Sequence, residues 1–282
     1  MNEEFDGEVK LSFISRDGKT VAKDTYHTGN SRLSGNIPTT GDIPYYFLIT
    51  TGGGYVEGEK YLQNISLDDN THAILTTQAP NYVYKCENNI LTTQDDIINV
   101  GKNSTLEFYA DETIPYRYAY YRQTNKVNLK KGARLILTDG LTSGWSPDEK
   151  PFQYREVGIK TEVSIEDKLI YNDFLLVNPE IEKMRELGFF EDKNTFNSVL
   201  IIDENSSEEL IDELRKYMDS IDTDAIYGIS LLESNGLIFR LMGDSAHENR
   251  RVMWKFINYY RENIWKEAPI NLRKNDHLEV HN

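Results

Sequence analysis

Cysteine is almost missing from this chain: of 282 residues, Cys86 alone carries a thiol. That excludes an internal disulfide framework, thiolate metal clusters and CxxC redox chemistry. Positive charge is also scarce, with 31 Lys and Arg against 46 Asp and Glu, for a formal net charge of −15. A surface this short of cations has little with which to displace counterions from phosphate, so neither nucleic acid nor an anionic membrane is an expected partner. No run approaches the ~18 apolar residues of a membrane span. The opening Met1-Asn2-Glu3-Glu4-Phe5-Asp6 is acidic and polar and lacks the basic-then-apolar order of a secretory signal. The expectation is a soluble protein of the cytoplasm.

What is present is alternation. Up to about residue 178, apolar and polar residues exchange places with period two, as half-buried strands require. In THAILTTQA, Ala73, Leu75 and Thr77 share one face while His72, Ile74 and Thr76 share the other. STLEFYAD, ARLILTDG, YREVGIKTEVSIEDKLI and YNDFLLV behave alike, separated by turn signals such as Asp17-Gly18 and Lys102-Asn103-Ser104. The 18 tyrosines suit a pleated surface. No fixed-length repeat is visible, so periodicity alone does not give a solenoid.

After Asn178 the period changes. Pro179 suits the first position of a helix through PEIEKMREL, and SVLIID reads as a strand. Ser206 and Glu209 have the spacing of a capping box ahead of the stripe Leu210, Ile211, Leu214, Met218 and Ile221. Asn235-Gly236 marks a hairpin. An amphipathic helix follows from about 246 to 266, with Val252, Met253, Phe256, Tyr260 and Ile264 on its apolar side. No Pro/Gly/Ser-rich linker intervenes. One unit is expected, with a β body over about 1–178, a small α+β layer over about 179–268, and an unstructured tail over about 272–282.

The stretch TTGGGYVEGEKY at 50–61 invites a phosphate-binding reading. Gly53 and Gly58 have Walker spacing, but Glu59 stands where the lysine must be and no hydroxyl ligand follows. A dinucleotide fingerprint fails at Glu57, and the next residues read as a strand where both motifs need a helix. Two readings survive: a tight hairpin with residues at positive φ, or a glycine-bounded carboxylate displayed to a cation or partner.

The same stretch carries a resemblance. Gly53-Gly54-Tyr55-Val56-Glu57-Gly58-Glu59 resembles the GGxxxGD motif of the UreD (UreH) urease accessory proteins. Thr76-Thr77-Gln78-Ala79 resembles that family's TTQA segment, Leu106-Glu107-Phe108 with Glu112-Thr113-Ile114 its LEW…ETI block, and Asp139, Gly144 and Phe152 its D…GR…GE.F segment. The four run in order through most of residues 45–175. Three departures stand out: Glu59 for the usual Asp, Tyr82 for a Lys (Lys85 lies near), and Trp145 for an Arg.

The resemblance implies a mostly β protein with a β-helix-like or solenoid-like body and two main helices in a small C-terminal α+β layer. It implies a non-enzymatic metallochaperone scaffold that helps insert nickel into apo-urease (UreABC) together with UreF and the GTPase UreG. In relatives, nickel is taken to pass through an internal channel. No tightly bound cofactor is implied, only Ni²⁺ in transit. A delivery path should bind weakly and at several points, and this chain has no HxH, HxxE or CxxC ligand pair. The nickel-path candidates are Glu59 and Asp139, with His72 behind them; the plain alternatives are turn acceptors and a hydrogen-bonded core histidine. Cys86 reads as inert, while Tyr116, Tyr118, Tyr120 and Tyr121 with Arg117 and Arg122 read as a partner patch or as core and rim. Two other functions compete: a β-solenoid adaptor without a metal role, and a hydrolase using Glu57 and Glu59.

Overall fold

Parallel pairing between strands distant in sequence organises the chain. The computed structural model describes residues 4–39 and 41–274. β1 (Gly7–Arg16) and β2 (Lys19–Gly29) form a hairpin. The chain then shuttles between two facing sheets. β3 (Ser31–Leu33), β4 (Tyr45–Thr50), β6 (His72–Thr77), β9 (Thr105–Tyr109) and β12 (Arg134–Thr142) lie in one, the second sheet. β5 (Lys60–Leu67), β8 (Thr92–Val100), β11 (Tyr120–Leu129) and β13 (Glu156–Ile165) join β1 and β2 in the other, the first sheet. β7 (Asn81–Val83) and β10 (Thr113–Pro115) pair in parallel on a third, short side, extended by bridges Tyr55–Val83 and Tyr116–Trp145.

β4, β6, β9 and β12 are mutually parallel, as are β1, β5, β8, β11 and β13. The result is a solenoid-like stack of coils, as the family resemblance implied. Its repeat is uneven. Tyr45 pairs with Ile74, His72 with Thr105 and Thr105 with Arg134, offsets of 29, 33 and 29 residues. In the first sheet Lys60 pairs with Thr93, Thr92 with Tyr121 and Tyr120 with Glu156, offsets of 33, 29 and 36. Coils of unequal length leave no fixed period in the sequence.

β14 (Lys168–Val177) ends the first sheet as an antiparallel edge. β15 (Thr195–Ile202), β17 (Gly236–Gly243) and β16 (Ile226–Leu231) extend the second sheet, so these strands continue the body and the helices alone form a layer. α1 (Glu208–Met218) and α2 (Ala246–Tyr260) bury Leu210, Leu214, Val252, Phe256 and Tyr260 against the outer face of that sheet at Ile74, Ile136, Val199 and Phe239.

Several expectations need correction. Residues 179–190 form turns, not a helix; Met184 and Phe190 are buried, but Ile181 and Leu187 are 79% and 89% exposed, so the segment does not bury a continuous apolar helical face. Ser207, not Ser206, caps α1, its Oγ accepting from Leu210 N at 3.3 Å. The last helix stops being α-helical at Tyr260, continues as a π turn over Arg261–Trp265 and ends at Lys266 in the left-handed region. The tail is packed as far as Lys274: Leu272 is buried and its carbonyl accepts from the Tyr45 hydroxyl at 2.7 Å. The remainder of that expected tail, with His277 and His281, lies outside the described residues.

A buried ionic anchor ties the helix layer to the body. Glu107 on β9 has no exposure; it accepts from Arg261 and from the Tyr109 hydroxyl, and His72 Nε2 lies 2.6 Å from its other oxygen. Burial opposes its ionisation, yet His72 and Arg261 outweigh burial and hold the carboxyl down at about 2. Its stabilising contribution is therefore complete above the unfolded value near 4.5 and is lost as pH falls towards 2. Glu107→Ala, which strands Arg261 in the interior, should cost about 3–5 kcal/mol in urea unfolding at neutral pH and much less at pH 2.

Candidate functional site

The interior between the two sheets is not uniformly apolar. At one end Leu11, Ile65, Leu75, Leu106, Val127 and Leu135 make one apolar cluster. At the other, Tyr61, Tyr121, Leu141, Tyr154 and Val157 make a second. Along each central strand the inward face changes character between them. β8 runs Gln94, Asp96, Ile98, Val100; β11 runs Gln123, Asn125, Val127, Leu129.

Because these strands pair in parallel register, the polar positions stack. Gln63 pairs with Asp96, Asp96 with Asn125, Asn125 with Thr161 and Thr161 with Asp173, a row across five strands of the first sheet. The second sheet answers with Thr77, Asp139, Ser198 and Arg240, where Asp139 pairs with Ser198 and Ser198 with Arg240. Arg240 crosses back to Asp173 at 2.8 Å, joining the two sheets at the partly exposed end of the row.

Amide and hydroxyl groups hold the row together. Gln94 Nε2 donates to both oxygens of Asp96 at 2.9 and 2.8 Å, and Gln123 Nε2 adds a third bond at 3.0 Å. Asn125 donates to Thr161 at 2.9 Å, and Tyr55 donates to Gln94 at 2.6 Å. Asp139 accepts from Ser198 at 2.6 Å. Burial raises Asp96 to about 7, against the amide bonds that lower it. Burial likewise raises Asp139 to about 6, with Asp173 adding to the rise and Ser198 opposing it. A cavity of about 150 Å³ lies over this row, lined among others by Gln63, Gln94, Asp96, Gln123, Thr77 and Asp111. A space of that size, with these polar groups converging on it, has room for several waters. At its far side Asp111 accepts from Thr77 at 2.9 Å and from Lys274 at 2.7 Å.

The three residues singled out from the sequence do not meet. Asp139 lies in the row. His72 lies on the opposite face of the second sheet, committed to Glu107. Glu59 sits in the glycine corner, accepting from Val56 N at 2.7 Å, Asn30 at 3.0 Å and the Tyr61 hydroxyl at 2.6 Å. That corner is not a hairpin: it carries the chain from β4 in one sheet to β5 in the other. Gly52, Gly53 and Gly58 do take positive φ, and a Cβ on Gly54 would meet the Tyr82 carbonyl at 2.6 Å. Glu57 is spent on the neighbouring turn, accepting from Asn88 N and Ile90 N at 2.7 and 2.9 Å, so the Glu57/Glu59 pair is divided between separate turns.

The other motif residues are structural supports. Thr76 donates to the Tyr109 carbonyl at 2.6 Å, Gln78 N to Leu48 at 2.9 Å, and a Cβ on Gly144 would meet the Pro115 carbonyl at 2.3 Å. Cys86 is buried, and burial pushes its thiol up. Among the described residues no three His, Cys, Asp or Glu converge to hold a metal ion. No helix among them is long and apolar enough to cross a membrane. The residues that sequence reading missed are Gln63, Gln94, Asp96, Gln123, Asn125 and Asp111. A signal for four of them was present: QxDxIxV at 94–100 and QxNxVxL at 123–129 share one pattern 29 residues apart.

Fold and site together define a β-solenoid scaffold whose polar chemistry is enclosed between its sheets. The chain belongs to the UreD family: the profile described as UreD urease accessory protein matches residues 5–276. A urease accessory protein UreD of Streptococcus salivarius is 41% identical over 276 residues, covering 98% of this chain and 99% of that protein. Those of Lachnoclostridium phytofermentans and Staphylococcus aureus are 31% and 28% identical, covering 96% of this chain in each case and 98% and 99% of theirs. Membership gives the chain a role in urease maturation, and the accessory designation of its relatives is that of a non-catalytic protein.

The raised carboxyls set a testable pH dependence. Between about pH 4 and 7 the folded state keeps a proton on Asp96 that the unfolded chain has lost, so stability falls as pH rises across that window. Asp96→Asn should remove roughly 1.4 kcal/mol per pH unit of that slope, read from urea unfolding at pH 4.5, 5.5 and 6.5.

Proposed function

We propose that the protein advances urease maturation by passing Ni²⁺ along the inter-sheet polar row, in the cytoplasm, between its partners UreF with the GTPase UreG and apo-urease (UreABC). The observation that carries this reading is the stacked row itself. An unbroken series of carboxylate, amide and hydroxyl oxygens crosses a molecule otherwise filled with Leu, Ile, Val and Tyr.

The chemistry of the row suits passage rather than storage. Ni²⁺ accepts oxygen donors, and a site made of one carboxylate and neutral amides has little charge with which to retain a dication. Asp96, at about 7, is partly protonated at neutral pH, so each arriving cation competes with a proton and each departing one is replaced by it. Asp139 offers a second carboxylate with the same property, on the facing sheet. Nickel is cargo on this reading, and the protein breaks no bond.

The decisive experiment is reconstitution of urease with limiting nickel, scoring metal per active site by elemental analysis. Asp96→Asn and Asp139→Asn should each lower nickel content several-fold, and together nearly abolish it, while partner co-purification persists. Full nickel content with the double variant would refute the passage.

A further inference from the structure

On the third side of the solenoid, successive coils present aromatic side chains in register. Tyr84 follows β7, Tyr116 follows β10, and Trp145 bridges to Tyr116 one coil further on. Tyr84 and Tyr116 meet edge to face with centroids 5.1 Å apart, and Tyr116 and Trp145 at 4.8 Å. Beside them Tyr118 projects from a backbone at φ +65, a conformation a bulky residue adopts only under constraint. The bonds from Tyr118 N to the Gln153 carbonyl and from Cys86 N to the Tyr118 carbonyl hold it there. Tyr118 and Trp145 are 49% and 51% exposed, and they border a cleft of about 740 Å³. Large aromatics rigidly held and exposed are the side chains that anchor protein interfaces.

The electrostatics of this cleft run against the rest of the molecule. In a chain of net charge −15 it gathers Lys85, Arg117 and Arg155, of which Arg155 is paired with Glu180 at 3.7 Å and Arg117 has no carboxylate partner among the described residues. Glu87, its acidic lining residue, is paired with Lys85. Arg117 stacks on Tyr118 at 4.7 Å and donates through Nη2 to the Tyr118 hydroxyl at 2.6 Å. Its Nε is buried and finds no acceptor among the described residues.

We infer that this cleft docks an extended segment of a partner protein that carries a carboxylate beside apolar or proline residues. The carboxylate meets the half-exposed Arg117 guanidinium, which has no carboxylate partner among the described residues, and the flanking side chains lie on Tyr84, Tyr116 and Trp145. A single guanidinium matches a carboxylate; a phosphate, with three oxygens to satisfy, would need a cradle of backbone amides as well. The inference rests on the cleft alone and does not depend on nickel transfer.

The test uses the purified full-length chain and a fluorescein-labelled decapeptide of alternating glutamate and proline, followed by polarisation. Saturable binding is expected, together with quenching of Trp145 emission. Arg117→Gln and Trp145→Ala should each weaken it about tenfold or more, equal to about 1.4 kcal/mol. Unchanged near-ultraviolet circular dichroism and thermal midpoints would show both variants folded, and Asp96→Asn should bind as the parent does. The inference is overturned by equal affinity for the glutamine–proline peptide, by unaltered binding in both cleft variants, or by the absence of saturable binding. Displacement of the bound peptide by magnesium–ATP at equal concentration would reassign the cleft to nucleotides and overturn it too.

Discussion

Parallel strands in register place each inward side chain directly against its counterpart in the next coil, about 4.8 Å away. In an antiparallel sandwich a single buried polar residue can be satisfied by a local turn or a neighbouring loop. In this stack the nearest partners are fixed by the register. Asp96 inside the body therefore demands donors on its own strand or in the adjoining coil, and Gln94 two residues earlier and Gln123 at the diagonal position supply them, with Asn125 accepting from Gln123 beside them. Once one coil is polar at that level its neighbours must follow, because an orphaned carboxylate in this interior would cost several kcal/mol. The row spans the sheet as a consequence of the fold's own geometry.

The molecule contains buried carboxylates of two opposite kinds. Glu107 has a guanidinium and an imidazole against it and is held ionised, at about 2. Asp96 is bonded to neutral amides and is pushed up to about 7. The first arrangement is a fixed ion pair that pins the π turn after α2 onto β9, and it has no spare capacity for a visitor. The second leaves the carboxyl poised between charged and neutral forms. Environments that push acids apart in this way separate structural groups from chemical ones. Glu107 lies on the outer face of the second sheet, under the helices, and Asp96 on the inner face of the first, so the structural ion pair and the row are kept apart by the second sheet.

Much of this architecture was legible before any coordinates. Period-two alternation gave the strands, the Asn235-Gly236 turn gave the β16–β17 hairpin, and the apolar stripes gave α1 and α2. The stacking was not legible from periodicity, because coil offsets of 29 to 36 residues blur any repeat. The helix expected after Pro179 failed for a tertiary reason: Ile181 and Leu187 face outward with Met184 alone buried, and propensity with so little burial does not hold a helix of that length. Asp139 was found through a motif. Asp96 was missed because a carboxylate on a strand reads as a solvated face until the register shows that Asn125 and Gln63 are polar beside it.

Both ends of the row are closed by an ion pair. Arg240 lies on Asp173 at the β14 edge, and Lys274 lies on Asp111 beside the cavity. Burial lowers the Lys274 ammonium, so its charge is held less firmly than that of a solvated lysine. On the proposed passage, a dication entering at either end would have to displace a cation already seated on the carboxylate that would first receive it. Asp111 and Asp173 thus carry the chain's own positive charge, and Asp96 is partly protonated at neutral pH. A path that conducted ions between partners would gain from this: Asp111 and Asp173 are neutralised by the chain's own cations and Asp96 in part by a proton, which leaves Asp139, at about 6, as the row carboxylate mostly ionised at neutral pH. The same provision makes the interior a poor store, since every bound ion competes with an intramolecular substitute.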